Sequence, residues 1–120
     1  MAPFEGRGAR ELQRVRAANE LCLIHQDGVI RAMSAPLAAF LGYARGEECV
    51  GLSALDLVHD DDRPYIAERI ESIYETREPT RPALQRLVRK DGKAAFVEIY
   101  SVPITLNARI AALTIVKPRD

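Results

Sequence analysis

An α+β fold, one antiparallel sheet of five strands with helices gathered on one face, is what this 120-residue chain predicts. Three observations carry the prediction. Short apolar runs flank Asp27-Gly28, and three more follow one another after Pro82, joined by tight turns. Such strand–turn–strand units pair antiparallel. Between the two groups, the stretch from Leu41 to Arg63 is broken by Gly42, Gly46 and Gly51 and leads into one amphipathic helix. Glycines at such short intervals stop one long helix and leave several one-turn pieces. Strands, then helices, then strands make an α+β layer arrangement.

Each element has its own signal. Met1 to Gly8, with Pro3, Gly6 and Gly8, reads as a loose tail. Ala9 to Asn19 carries Leu12, Val15 and Ala18 at helical spacing. That is a weak amphipathic helix, too short to stand alone, so it must dock on the domain or on another chain. Leu21 to His25 and Val29 to Met33 are the first hairpin. Ser34 is the expected cap of a short helix from Ala35 to Leu41, with Pro36 tolerated in its first turn. Asp60, Asp61 and Asp62 precede Pro64, as suits a helix start running to about Arg77. Ile66, Ile70 and Ile73 give that helix one apolar stripe. Ala83 to Arg89, Ala94 to Ile104 and Arg109 to Val116 complete the sheet as a meander. The long strand is largely apolar on both faces, with Phe96, Tyr100, Val102 and Ile104 on one and Val97, Ile99 and Ser101 on the other. A sheet wet on one side should alternate cleanly, so the second face needs a cover.

Composition narrows the role. The 17 basic and 17 acidic residues balance, which gives no electrostatic footing for nucleic acid. An apolar fraction of 48% suits a single globular domain and not a disordered chain. Cys22 and Cys49 are far apart and form no CxxC, so a disulfide framework and a structural zinc site are disfavoured and a reducing, cytoplasmic setting is expected. No apolar run nears the ~20 residues of a membrane span, so no membrane contact is expected of this domain.

Taken in order, the motifs resemble those of PAS domains, the small sensory modules of signalling proteins. They are Asp27-Gly28, Leu41-Gly42-Tyr43, Val50-Gly51, Leu57-Val58-His59-Asp60-Asp61-Asp62-Arg63, Arg86 with Arg89-Lys90-Asp91-Gly92, and Val97-Glu98 leading to Pro103-Ile104. The resemblance runs from about Asn19 to Val116. It departs at Ser34, where the family usually has Asn and a polar link between hairpin and helix is expected to weaken, and at Lys117-Pro118, where many members carry an Asp-Ile-Thr-like junction. It divides the chain into an N-terminal tail and flanking helix, residues 1–18, and a sensory domain, residues 19–118. It implies a pocket between the inner sheet face and the helices, in which members hold haem, flavin or small metabolites, while others simply dimerise.

The chemistry of this sequence selects among these. The reactive cysteine of a light-sensing flavin site would fall near Ala54, and the residues that read the flavin ring near Leu87, Val97 and Val116, all apolar here. A haem ligand from the long helix is missing, since Asp60 to Arg77 holds no His, Cys or Met; His25 and His59 lie outside it. No cofactor is therefore expected. The triple acid after His59 reads as a helix cap and not as a metal cluster. Cys22 reads as core, and Cys49 as an exposed thiol without a paired base. No nucleophile–base–orienter set and no phosphate loop appear, so no enzyme is expected. The interior, Cys22, Ile24, Phe40, Leu55, Ile66, Ile70, Leu87, Val97, Ile99 and Val116, describes either a filled core, the preferred reading, or a pocket for a small apolar ligand. Leu12, Val15, Phe96, Tyr100 and Val102 are the candidate interface, for a homodimer through the N-terminal helix and the outer sheet face, in a parent protein that supplies an effector module. The function expected is sensing and protein interaction by changed packing between sheet and flanking helix. The alternative is a small ligand-binding or catalytic α+β protein using the same cavity.

Overall fold

A computed structural model of the protein describes residues 3–119. Five antiparallel strands form one sheet: β1 (Cys22–Gln26), β2 (Val29–Met33), β3 (Ala83–Val88), β4 (Ala94–Leu106) and β5 (Arg109–Pro118), in the spatial order β2-β1-β5-β4-β3. The helices are α1 (Pro3–Arg16), α2 (Ala35–Phe40) and α3 (Arg63–Thr76), with one-turn 3₁₀ pieces at Gly46–Cys49, Ala54–Leu57 and Asp60–Asp62. The meander β3-β4-β5 and the hairpin β1-β2 meet where β1 pairs β5, with Leu23 opposite Thr114.

Two expectations about the N-terminus change. The helix begins at Pro3 and ends at Arg16, so the segment read as tail is helical from Pro3 on; Met1 and Ala2 lie outside the described residues. Proline is well tolerated in a first turn, while Gly6 and Gly8 cost about 1 kcal/mol each in a helix, a cost that docking elsewhere along α1 offsets. The C-terminal strand also runs further than Val116: Lys117 pairs Glu98 and Pro118 pairs Val97.

Two cores lie on opposite faces of the sheet. The inner one joins Leu23, Met33, Leu37, Leu41, Leu57, Val58, Ile66, Val97 and Val116 under α2, α3 and the 3₁₀ pieces. The outer one joins Val15 of α1 to Cys22, Ile24, Ala32, Leu106 and Ala111, with Leu12 packed against it. The sheet thus has covers on both faces, and α1 supplies the outer one.

The glycine-broken stretch between α2 and α3 binds both edges of the sheet. At the β2 edge, the Ile30 amide donates to Leu52 O (2.9 Å) and the Gly51 amide to Ile30 O (2.9 Å). At the β3 edge, the His59 amide donates to Arg86 O (3.0 Å), and Val58 forms a bridge to Leu87. Unpaired strand edges attract other strands; here one segment occupies both and spans the inner face between them. Gly46 sits where a Cβ would come within 2.3 Å of Met33 O, so only glycine lets this segment approach β2 so closely.

The caps are partly as expected. Ser34 Oγ accepts from the Leu37 amide (3.4 Å) and from the Cys22 amide (3.1 Å), so serine keeps the link between helix and hairpin. The triple acid does not act as one cap. His59 Nδ1 accepts from the Asp61 amide (3.1 Å), Asp60 pairs Arg63 (3.2 Å), and Asp62 turns to β3. Asp62 accepts from the Arg86 backbone amide (2.8 Å) and from its guanidinium (2.9 and 3.2 Å). These bonds hold the Asp62 carboxyl below the usual carboxylate range, the Arg86 guanidinium contributing most.

Candidate functional site

A cavity of about 60 Å³ opens between the inner sheet face, α3 and the 3₁₀ piece Ala54–Leu57. Its apolar wall comes from Ile66, Ile70 and Ile73 of α3, which share one helix face at their three- and four-residue spacings, and from Leu87, Ile99 and Val116 of the sheet. A space of this size takes a few water molecules or a molecule of a few heavy atoms.

The cavity is not purely apolar. Four strands each turn one polar side chain inward: His25 from β1, Thr114 from β5, Ser101 from β4 and Gln85 from β3. All four are buried. Strand alternation places them, because each lies two residues from an inward apolar partner: Leu23, Val116, Ile99 and Leu87 respectively. Ser101 Oγ and Thr114 Oγ1 are 2.8 Å apart and hydrogen-bonded. The Ser101 amide donates to Thr80 Oγ1 (2.9 Å), and the Thr80 amide to Ser101 O (2.9 Å). Arg69 of α3 also lines the space; its Nη2 donates to Arg81 O (2.5 Å) and to Ile99 O (3.3 Å). His25 Nδ1 lies 3.4 Å from the Tyr74 hydroxyl, with the two rings edge to face. Burial pushes the His25 pKa down to about 4, so the imidazole is neutral near pH 7.

The interior residues picked from sequence divide into three groups. Ile66, Ile70, Leu87, Ile99 and Val116 line the cavity. Phe40, Leu55 and Val97 belong to the inner core around it without lining it. Cys22 and Ile24 are corrected: they belong to the outer core beneath α1. The reason is the phase of β1, whose five residues are all buried, so hydrophobicity does not mark which alternate set points in. Leu23 and His25 are the inward pair. Cys49 is corrected as well: it is fully buried in the inner core, and burial raises its thiol pKa, which makes it less reactive. Of the candidate interface, Val15 is buried and Leu12 packs against the outer core, while Phe96 is 58% exposed and Tyr100 and Val102 are half-buried.

Sequence reasoning missed His25, Gln85, Ser101 and Thr114 as site residues. For Gln85, Ser101 and Thr114 a signal exists: Leu87, Ile99 and Val116 are inward candidates, and a strand residue two positions away shares that face.

Among the described residues, no group of three His, Cys, Asp or Glu comes together as a metal-ligand set. A flavin does not fit. Ala54 lines the cavity where a reactive cysteine would stand, Leu87 and Val116 offer no hydrogen bonds, and the volume is far below the roughly 300 Å³ at which ligand pockets of that class begin.

Comparisons agree on the architecture. A family model described as the PAS fold matches residues 13–117. The PAS domain of a protein from Colwellia psychrerythraea superposes with a TM-score of 0.75 at 19% identity, covering 92% of this chain and 95% of that one. The PAS domain of an HTR-like protein from Haloarcula marismortui gives 0.72 at 20% identity, covering 97% and 94%. The PAS domain of a LuxR-family transcriptional regulator from Burkholderia thailandensis, solved in complex with ethanol, gives 0.68 at 18% identity, covering 88% and 94%. No curated protein matches the chain in sequence.

Proposed function

The chain belongs to the PAS family, and we propose that it is a sensory and protein-interaction module of a signalling or regulatory protein, in which the state of the inner cavity sets how α1 and a partner pack on the outer face of the same sheet. One observation carries the reading: β1 serves both sides at once. Leu23 and His25 face the cavity, while Cys22 and Ile24 face α1. A molecule that binds two arrangements of this strand unequally must shift the balance between them. The ethanol bound by the Burkholderia thailandensis relative is a molecule of the size this cavity admits.

The module works by binding and not by catalysis. Its partner is a second copy of the chain, meeting it through α1 and the outer sheet face, and its output belongs to an effector module of a longer parent protein. Residues 1–18 form the flanking unit and residues 19–118 the sensor. The free, buried thiols of Cys22 and Cys49 suit a reducing, cytoplasmic setting. Among the described residues, no helix is long and apolar enough to cross a membrane.

Solution mass of the whole chain and of a chain lacking residues 1–18 tests the interaction. A dimer of the whole chain whose mass falls on removing the helix is the expected result. Far-ultraviolet circular dichroism checks that the shortened chain is folded. A strict monomer in both, up to high concentration, would sink the dimer.

A further inference from the structure

We propose that the inner cavity takes a small neutral molecule carrying a hydrogen-bond donor and acceptor side by side, of the primary-amide class, and that Gln85 is the residue that reads it. This rests on the reading of the cavity as the ligand site.

The argument starts from Gln85. It is 5% exposed, lines the cavity, and its side chain makes no hydrogen bond among the described residues. No fully enclosed side-chain nitrogen or oxygen there lacks a partner, so the Gln85 amide borders open space and not packed protein. Gln85 lines the cavity, so the cavity is the space we assign to it. A largely buried amide with no protein partner, bordering open space, is satisfied there by water or by a ligand. A side-chain amide presents two donors and an acceptor a fixed distance apart. The complement that satisfies both at once is a second amide.

The other inward polar groups support this class over its rivals. The Ser101 and Thr114 hydroxyls are bonded to one another and keep spare acceptor capacity. His25 is neutral, and Arg69 already donates to two backbone carbonyls. Apart from Arg69, the α3 wall is aliphatic. An anion would give up its water for apolar walls, a large cost that the partly committed Arg69 would have to offset. The volume limits the molecule to a few heavy atoms.

Acetamide, acetone and acetate have the same shape and differ in donor, acceptor and charge. Each is titrated into the ¹⁵N-labelled whole chain, wild type and Gln85→Leu, with backbone amide shifts of Leu87, Ile99 and Val116 as the readout. Acetamide should bind the wild type about tenfold more tightly than acetone, the gain expected of one further hydrogen bond, and more tightly than acetate. In Gln85→Leu that preference should vanish. Tightest binding by acetate would overturn the neutral class and make Arg69 the reader. A preference for acetamide that survives in Gln85→Leu, or no preference in the wild type, would remove Gln85. Xenon separates the two levels of the argument. Shifts at the same residues with xenon, without discrimination among the three probes, leave the cavity as a site and end the amide assignment. No response to any probe, xenon included, ends both.

Discussion

His25 is held between the cavity and the Tyr74 hydroxyl, and this buried position favours the neutral imidazole. Its pKa lies near 4, below the ordinary 6.5, because burial penalises the charged form. The sign follows from linkage. Between these two values the unfolded chain binds a proton that the folded chain refuses, so acid favours unfolding. Stability conferred by the neutral imidazole is complete above the unfolded value and is lost as pH falls toward the folded one. From pH 7 to pH 5 the loss is about 2 kcal/mol for a group this deeply buried. Urea unfolding of the wild type and of His25→Leu at both pH values isolates the term. The wild type should lose more stability than the variant by about that amount, since other titrating groups are common to both. Equal losses would show that His25 has no role in acid sensitivity.

The β4–β5 hairpin shows how an element can fold against a local preference. Asn107 and Ala108 form its two-residue turn, with φ of 53° and 65°. Both lie in the left-handed region, as a turn matched to sheet twist requires. Asparagine tolerates that region; alanine does not, because its Cβ crowds the backbone. The extensive β4–β5 ladder and Gln26, whose Nε2 donates to Leu106 O (3.0 Å) and Ile110 O (3.3 Å), hold the turn closed. Ala108→Gly removes the strain and should raise stability by roughly 0.5–1 kcal/mol, read as a higher urea midpoint at unchanged slope. A lower midpoint would mean that the alanine methyl packs usefully. Most elements were legible in the sequence because their signals are local: Asp27-Gly28 for a turn, Ser34 for a cap, the isoleucine spacing of α3 for a buried stripe. The phase of β1 was not legible, since α1 buries its outer face and erases the alternation that would mark it. Nor was the polar part of the cavity: Gln85 and Thr114 look like surface residues until their neighbours two positions away are placed, and Ser101, though on the face of Val97 and Ile99, carries no local sign that this face borders a cavity. The role of Asp62 was hidden for another reason: its partner Arg86 lies on a strand far along the chain, and a run of three acids beside a proline resembles a helix start.

At the scale of the whole molecule, the sheet is covered unequally. The inner face is closed by α3 and by the segment that binds both edge strands. The outer face is covered by α1 only over the outer core of Cys22, Ile24, Ala32, Leu106 and Ala111. Beyond it, on β3 and the first half of β4, Leu84 is 60% and Phe96 is 58% exposed. The register places them as near neighbours, with Leu84 opposite Glu98 and Phe96 opposite Arg86. Alternation puts both on the outer face, since Gln85, Leu87, Val97 and Ile99 take the inner one. Single exposed apolar residues are ordinary, but two large ones side by side, next to half-buried Tyr100, form the kind of patch that meets a partner. In the homodimer proposed above, this patch and α1 meet the second copy. Phe96→Glu places a charge at its centre, where burial against the second copy costs its hydration and the Arg86 guanidinium opposite is already engaged by Asp62. It should shift the concentration-dependent mass of the whole chain toward the monomer by at least tenfold in dissociation constant. It should move the urea midpoint little, because a residue this exposed contributes within about 0.5 kcal/mol to the fold of a monomer. Analytical ultracentrifugation over a concentration series reads the first effect and urea unfolding the second. An unchanged dimer would move the interface off this patch and onto α1 alone. A large loss of stability without a change in mass would make Phe96 a packing residue of the single chain.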